Sequence, residues 1–407
     1  MFRVLHIAAK FILGTMFTVA LIGHFSPAQA VSFKVLHSFS GGSDGCYPAA
    51  GLIRDGTGKL YGTTAGGNGC NCGTVFELVP AGSETVLYNF TCGDNGQAPD
   101  DTLAMDKKGN LYGATIAGGS IGCGVIFKVT PSGREKTVHD FAGPPSDGCA
   151  AQGTLIFDGA ANLYGTTSGG GKNGYGTVFE LSPDGTETVL YSFCKKIPRC
   201  TDGAYPLAGL TADPAGDVYG ATGYRGSRTN SGTIFELAPD GAETTLYKFK
   251  GSPNDGSLPE GSIIEDNSGN FYGTLFVGGR GGCYGDQGCG VVFKLAPGGA
   301  ETILHFFTGK KGDGANPFGS LLADGAGNMF GATEFGGGRN VCNGSYGCGM
   351  VFELAADGTE TVLHTFGKGN NGANPSGNLV ADNARNLYGA AAQGGVYGFG
   401  TIFEITP

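Results

Sequence analysis

One unit of about fifty residues is written seven times along this chain, and that repeat constrains the fold more than any other feature. Its first landmark is a short run built on Tyr-Gly: LYGTT from Leu60, LYGAT from Leu111, LYGTT from Leu163, VYGAT from Val218, FYGTL from Phe271, MFGAT from Met329 and LYGAA from Leu387. The second is GTVFEL-like, with its phenylalanine at Phe76, Phe127, Phe179, Phe235, Phe293, Phe352 and Phe403, spaced 51, 52, 56, 58, 59 and 51 residues apart. The third is ETVLYNF-like and ends at Phe90, Phe141, Phe193, Phe249, Phe307 and Phe366. Only six copies of this third run follow a second one. The seventh stands ahead of everything else, as Val35-Leu36-His37-Ser38-Phe39, matching the VLHTF that ends at Phe366. A leading strand that completes the last unit closes a circular propeller without leaving an open edge. The sequence therefore predicts an all-β fold, a single seven-bladed β-propeller over 31–407 with four strands per blade. The spacing never breaks, so two separate domains are not expected.

Turn chemistry agrees. First strands run into Asp-x-x-Gly-Asn turns such as Asp324-Gly325-Ala326-Gly327-Asn328, and Pro183-Asp184-Gly185-Thr186 and its equivalents join the outer two. Asp or Asn with Gly supplies the left-handed conformations tight hairpins need. Glycine reaches 79 of 407 residues, yet no G-x-y period runs through the chain, which excludes collagen. With 40% hydrophobic and 15% charged residues, disorder is not expected either.

Residues 1–30 read as a secretory signal peptide, to be set apart from the fold. Arg3 and Lys10 form a basic start, Phe11 to Ile22 is apolar, and Ala28-Gln29-Ala30 is an A-x-A cleavage site. The apolar run is short for spanning a bilayer. A secreted or periplasmic destination follows, as a monomer without a membrane contact after cleavage. The formal charge is −10, and losing Arg3 and Lys10 makes it −12. A chain this acidic, without basic blocks, is not expected to bind nucleic acid or anionic membrane through bulk charge.

The pattern LYGTT…GG…GTVFEL.P.G.ETVLY resembles the GloVer tandem repeat of exported bacterial proteins, a "choice-of-anchor" family, over essentially all of Val31 to Pro407. The resemblance implies an exported bacterial protein. It carries over no catalytic residues.

All twelve cysteines fall in the hairpins between the middle strands or in the links between blades, loops that share one face of a propeller. An even count suits a disulfide framework in an oxidising compartment. Local pairs are Cys194–Cys200, Cys283–Cys289 and Cys342–Cys348; for the rest, Cys46–Cys70, Cys72–Cys92 and Cys123–Cys149 are the expected partners, although spacing alone leaves other pairings open. Thiolate metal binding is disfavoured, because Cys70-x-Cys72 lacks a second close pair and nearby histidines. His37, His139, His305 and His364 share one outer-strand position with Tyr88, Tyr191 and Tyr247, which reads as packing or a satisfied hydrogen bond. Asp-Gly at Asp44, Asp147, Asp202, Asp255 and Asp313, with Asn95-Gly96 and Asn371-Gly372, lacks calcium-loop spacing and reads as turns. No metal and no cofactor is expected.

Function is sought where the repeat is broken. One position after the inter-blade proline changes chemistry in every blade: Ala49, Asp100, Gln152, Leu207, Glu260, Phe318 and Ser376. Such a ring lines the mouth of a propeller's channel. Longer middle loops add Tyr224, Arg225, Arg228, Arg280, Tyr284, Asp286, Glu334, Arg339 and Tyr346. Carboxylates, arginines and tyrosines on one concave face suit a polar ligand such as a carbohydrate. The leading expectation is a non-catalytic binding module for an extracellular polysaccharide or an envelope protein. Its candidate ligand residues are Asp100, Gln152, Tyr224, Arg225, Arg228, Glu260, Phe318 and Glu334. A second reading is a glycoside hydrolase or polysaccharide lyase using Asp100, Asp101, Glu260 and Glu334 as acid and base. A purely structural envelope protein is the third.

Overall fold

The computed structural model describes residues 31–66, 72–80, 83–226, 230–280, 282–283, 287–338, 342, 347–367 and 369–407. Seven antiparallel blade sheets follow one another along these residues, with one further two-stranded pair, Gly256–Ser257 with Val277–Gly278. The third blade shows the plan at full length: Gly148–Phe157, Leu163–Gly170, Thr177–Leu181 and Glu187–Ser192. The seventh is completed from the other end of the chain, because Ser32–Ser38 pairs with Thr401–Thr406. This closing pair carries the same bulge as the outer pair of the other blades: the register slips between Val35 and His37, as it does between Val75 and Phe76 or Val178 and Phe179. A bulge bends and twists a strand. The leading strand is thus an outer strand like the six others, as the sequence predicts.

Aromatic contacts hold neighbouring blades together. The phenylalanine closing each outer strand meets, edge to face, the third-strand phenylalanine of the next blade: Phe90 with Phe127 at 5.0 Å, Phe193 with Phe235 at 5.1 Å, Phe366 with Phe403 at 5.2 Å. Phe39 makes the same contact with Phe76 at 5.4 Å, joining the seventh blade to the first. All of these rings are 0–2% exposed. Each ring stabilises the fold by about 1.5–3 kcal/mol through burial, with about 0.5–1.5 kcal/mol more from each pair.

These rings also explain the glycine of the Tyr-Gly motif. A Cβ on Gly165 would stand 2.7 Å from the Phe179 ring and 2.6 Å from Leu155, so only hydrogen fits there. The glycine that opens GTVF is required for a different reason, with φ of +98° at Gly176 and +92° at Gly73. At the first hairpin of each blade, the Asp carboxylate accepts from the turn it starts. Asp106 takes the amides of Lys108 at 2.8 Å and Asn110 at 2.9 Å.

Candidate functional site

Each blade's innermost segment enters through a short motif: Pro48-Ala49-Ala50-Gly51, Pro99-Asp100-Asp101-Thr102, Ala151-Gln152-Gly153-Thr154, and so on round the ring. All seven entrances surround one cavity of about 360 Å³. Because every blade contributes to its wall, the cavity lies at the mouth of the central channel. Three rings of positions build it. The first is the variable ring, where Asp100, Gln152, Leu207, Glu260, Phe318 and Ser376 line the wall with Ala49.

The second ring holds Ala50, Asp101, Gly153, Ala208, Gly261, Gly319 and Gly377. Only Asp101 there carries a side chain larger than a methyl. It reaches across the blade boundary, and its Oδ1 accepts from the Gly153 amide at 2.7 Å. The third ring is Gly51, Thr102, Thr154, Gly209, Ser262, Ser320 and Asn378. Here Thr102 Oγ1 accepts from the Gly51 amide at 3.1 Å, and Asn378 Oδ1 accepts from the Ser320 amide at 2.6 Å. Short polar side chains therefore pin neighbouring blades at the axis, where bulky ones would not fit.

Glu334, from the end of the strand Met329–Gly336, adds a fourth carboxyl to Asp100, Asp101 and Glu260. No Lys, Arg or His is among the described residues lining the cavity. Burial pushes Asp100 up to about 6 and Glu334 up to about 6. Asp101 rises to about 7, chiefly through burial and further through the charge of Asp100, against the Gly153 hydrogen bond. Glu260 rises to about 7 through burial, with the charge of Glu334 adding to it. Several polar atoms here are buried with no hydrogen-bond partner among the described residues: Asp100 Oδ1, Asp101 Oδ2, Gln152 Oε1, Ser320 Oγ and Ser376 Oγ. A buried orphan of this kind costs about 1–3 kcal/mol. The wall is therefore rich in unused acceptors, with protonatable carboxyls near neutrality and apolar surface from Phe318, Leu207 and Ile116.

Other loop residues singled out in the sequence stand elsewhere. Tyr224 lines a separate cavity of about 440 Å³ with Lys250, Ser257 and Gln287. Arg225 donates from Nη1 to the Pro198 carbonyl at 3.2 Å and lies over the Tyr175 ring. Arg280 lies over Phe306. Arg228, Tyr284, Asp286, Arg339 and Tyr346 lie outside the described residues.

Five disulfides form, Cys72–Cys92, Cys123–Cys149, Cys194–Cys200, Cys283–Cys289 and Cys342–Cys348. Cys46 is buried and has no sulfur partner among the described residues; Cys70, its expected partner, lies outside them.

One arrangement escaped the sequence reading. The His/Tyr position, the Asp of Asp-Gly and the Glu that opens the next blade's outer strand converge at the blade seams that carry all three. Tyr191 OH is 2.9 Å from Asp202 and 3.2 Å from Glu243, and Tyr247 OH is 3.2 Å from Asp255 and 2.7 Å from Glu301. A tyrosine has one proton to donate, so two ionised carboxylates cannot both be satisfied by it. Burial raises Glu301 to about 7, which supplies the second proton at acid and neutral pH. In other seams the ring is histidine. The groups His139, Asp147, Glu187 and His305, Asp313, Glu360 each bring three ligand atoms within 4.8 Å and are, among the described residues, the two clusters that could hold a metal ion. Tyrosine replaces histidine freely at this position, which favours the hydrogen-bonded role. At the closing seam both carboxylates change together while the histidine stays: His364 stacks on Phe33 at 3.6 Å, where other seams have the glutamate, and Asn371 replaces the aspartate. That joint substitution was the sequence signal.

Two solved structures share this architecture. An extracellular domain assigned to the hybrid two component system BT3049 of B. thetaiotaomicron matches at 13% identity and a TM-score of 0.56, over 92% of this chain and 41% of that one. PorZ, a bacterial surface component of the type-IX secretion system of Porphyromonas gingivalis, matches at 14% identity and a TM-score of 0.53, over 91% of this chain and 48% of that one. The chain thus spans less than half the length of either, and at these identities the likeness is one of fold. No curated protein matches by sequence. The model of the Gloeobacter/Verrucomicrobia repeat matches residues 9–213, 136–285 and 282–407, which together cover nearly the whole sequence, and the chain belongs to that repeat family.

Proposed function

We propose that this is an exported, disulfide-stabilised propeller that binds a neutral or amine-bearing polysaccharide segment at the mouth of its channel. The observation that carries the reading is the convergence of the variable ring on one cavity whose described wall holds four carboxyls and no cation. Hydroxyl and ammonium groups are donors that satisfy the orphan acceptors there, while Phe318 and Leu207 offer apolar faces to sugar C–H groups. A uronate would meet its own charge. The volume falls in the range of small-ligand sites, about 300–1,000 Å³. Five disulfides support export, because such bonds persist in oxidising compartments. The first 30 residues act as the signal, so mass spectrometry of the secreted protein should find Val31 at its N-terminus.

Calorimetry with neutral, amino-bearing and uronate-bearing oligosaccharides at pH 7.5 tests the reading. Binding of a neutral or amino-bearing member, lost in Asp100→Asn with Glu260→Gln, supports it. Preference for a uronate that the same double variant abolishes, or no binding of a neutral or amino-bearing member, contradicts it.

A second reading, a carbohydrate-active enzyme, is favoured by one feature: Glu260 and Glu334 interact and sit near 7 and 6, where a carboxyl is partly protonated and can serve as a general acid. It requires product release from a bound oligosaccharide, abolished by Glu260→Gln without loss of binding.

A further inference from the structure

A further cavity, of about 600 Å³, lies between the second and third blades and shares no residue with the channel mouth. It sits at the other end of the first strand, beside the hairpins Asp106–Asn110 and Asp158–Asn162. Its rim carries Lys107, Lys108, Lys128 and Lys136, and its floor is apolar, with Met105, Tyr112, Val138 and Phe157. Against these four ammonium groups stand two carboxylates, Asp106 and Asp158. Both are engaged: each accepts from the amides of its own turn, as Asp158 does from Ala160 and Asn162. Lys128 Nζ rests 5.1 Å from the Tyr112 ring centre.

The lysines are departures from the repeat. Where Lys107-Lys108 stands, the first blade has Gly56-Thr57 and the fifth Asn267-Ser268. The Lys128 position is glutamate in five blades, as at Glu77 and Glu180, with Lys294 the other exception. The Lys136 position is threonine in the first and third to sixth blades, as at Thr85 and Thr188. Positions that are neutral or acidic in most other blades are thus all basic at this seam, in a chain of net charge −10.

We propose that this groove binds an acidic polysaccharide, a chain bearing carboxylates on successive sugar rings. Lysines on flexible stems satisfy separated anionic groups, and the apolar floor takes the C–H faces between them. The groove is a concave seam between two blades, which suits a narrow polymer better than the flat face of a bilayer.

The probe is an oligogalacturonate, titrated calorimetrically into the full secreted chain at 50 and 300 mM NaCl. Wild type should bind it, with affinity falling at least fivefold at the higher salt as the charges are screened. The variant K107N/K108A/K128E/K136T installs residues that other blades carry, and should lose at least tenfold in affinity while keeping its circular dichroism spectrum. If that variant does not fold, K107N/K108A alone, on an exposed turn, should lose at least threefold. Asp100→Asn, at the channel mouth, should leave this binding unchanged, which separates the groove from the function proposed above. No binding by wild type, equal binding by the folded variant, or retention only on phosphatidylglycerol vesicles or polyglutamate would overturn the proposal.

Discussion

Replacing Asp101 by asparagine should make this protein more stable at neutral and alkaline pH, at the expense of its binding site. Asp101 is the single bulky residue in the second ring, its Oδ2 is buried without a partner, and burial pushes its carboxyl from 3.8 up to about 7. Three pH units correspond to about 4 kcal/mol between the folded and unfolded chains. The residue as a whole is half-buried, so solvent screening reduces the figure to about 2 kcal/mol. The sign follows from the raised value. Below about pH 3.8 the carboxyl is neutral in both states and costs nothing. Between 3.8 and 7 the unfolded chain ionises while the folded chain resists, and stability drains away. Above 7 the folded chain is ionised too and carries the whole cost. Asparagine keeps a carbonyl oxygen for the Gly153 amide and has no charge to desolvate. For a domain of this size about 2 kcal/mol raises Tm by about 2–3 °C. Scanning calorimetry at pH 4, 6 and 8 should show a gain that grows from almost nothing at pH 4 to its full value at pH 8. A neutral or destabilising effect at pH 8, or a gain that grows toward acid, would refute the desolvated carboxyl.

Three further outcomes follow from the blade architecture. Tyr247→Phe removes the hydroxyl that Asp255 and Glu301 both face, and should cost about 1–3 kcal/mol, read as a lower urea midpoint. Gly165→Ala would place a methyl against the Phe179 ring; overpacking of about 1–3 kcal/mol should lower Tm, whereas alanine at Gly159, with open space around it, should change little. Removing Cys123–Cys149, which closes a 26-residue separation, should destabilise by about 3 kcal/mol, measured by denaturation of a Cys123→Ala/Cys149→Ala variant.

The ring of blades was legible because each repeat unit is also a packing unit. Phe76 and its six equivalents recur at fixed intervals since each must meet an outer-strand phenylalanine of the blade before it. Ring closure was legible for the same reason: the leading run that ends at Phe39 has no third strand to pair with unless the chain's two ends share a blade. The channel ring could be read from a variable position inside a constant motif. Asp101 was harder to weigh, because its importance comes from the glycines and alanines level with it around the axis, from other blades. The seams were missed because their three members lie in two blades, for example Tyr191, Asp202 and Glu243. Each taken alone has an ordinary explanation. The basic groove was hidden similarly, since Lys107, Lys128 and Lys136 come together only when three hairpin strands fold side by side.

The central claim is that the carboxyl-lined mouth is where ligand binds. Its most direct measurement is a crystal structure with the tightest-binding neutral or amino-bearing oligosaccharide at saturating concentration. The account predicts a sugar ring in the axial cavity against Phe318, with hydroxyl or ammonium groups within hydrogen-bond distance of Asp100, Asp101 or Glu260. An empty cavity at saturation, or sugar density confined to other loops, would contradict it.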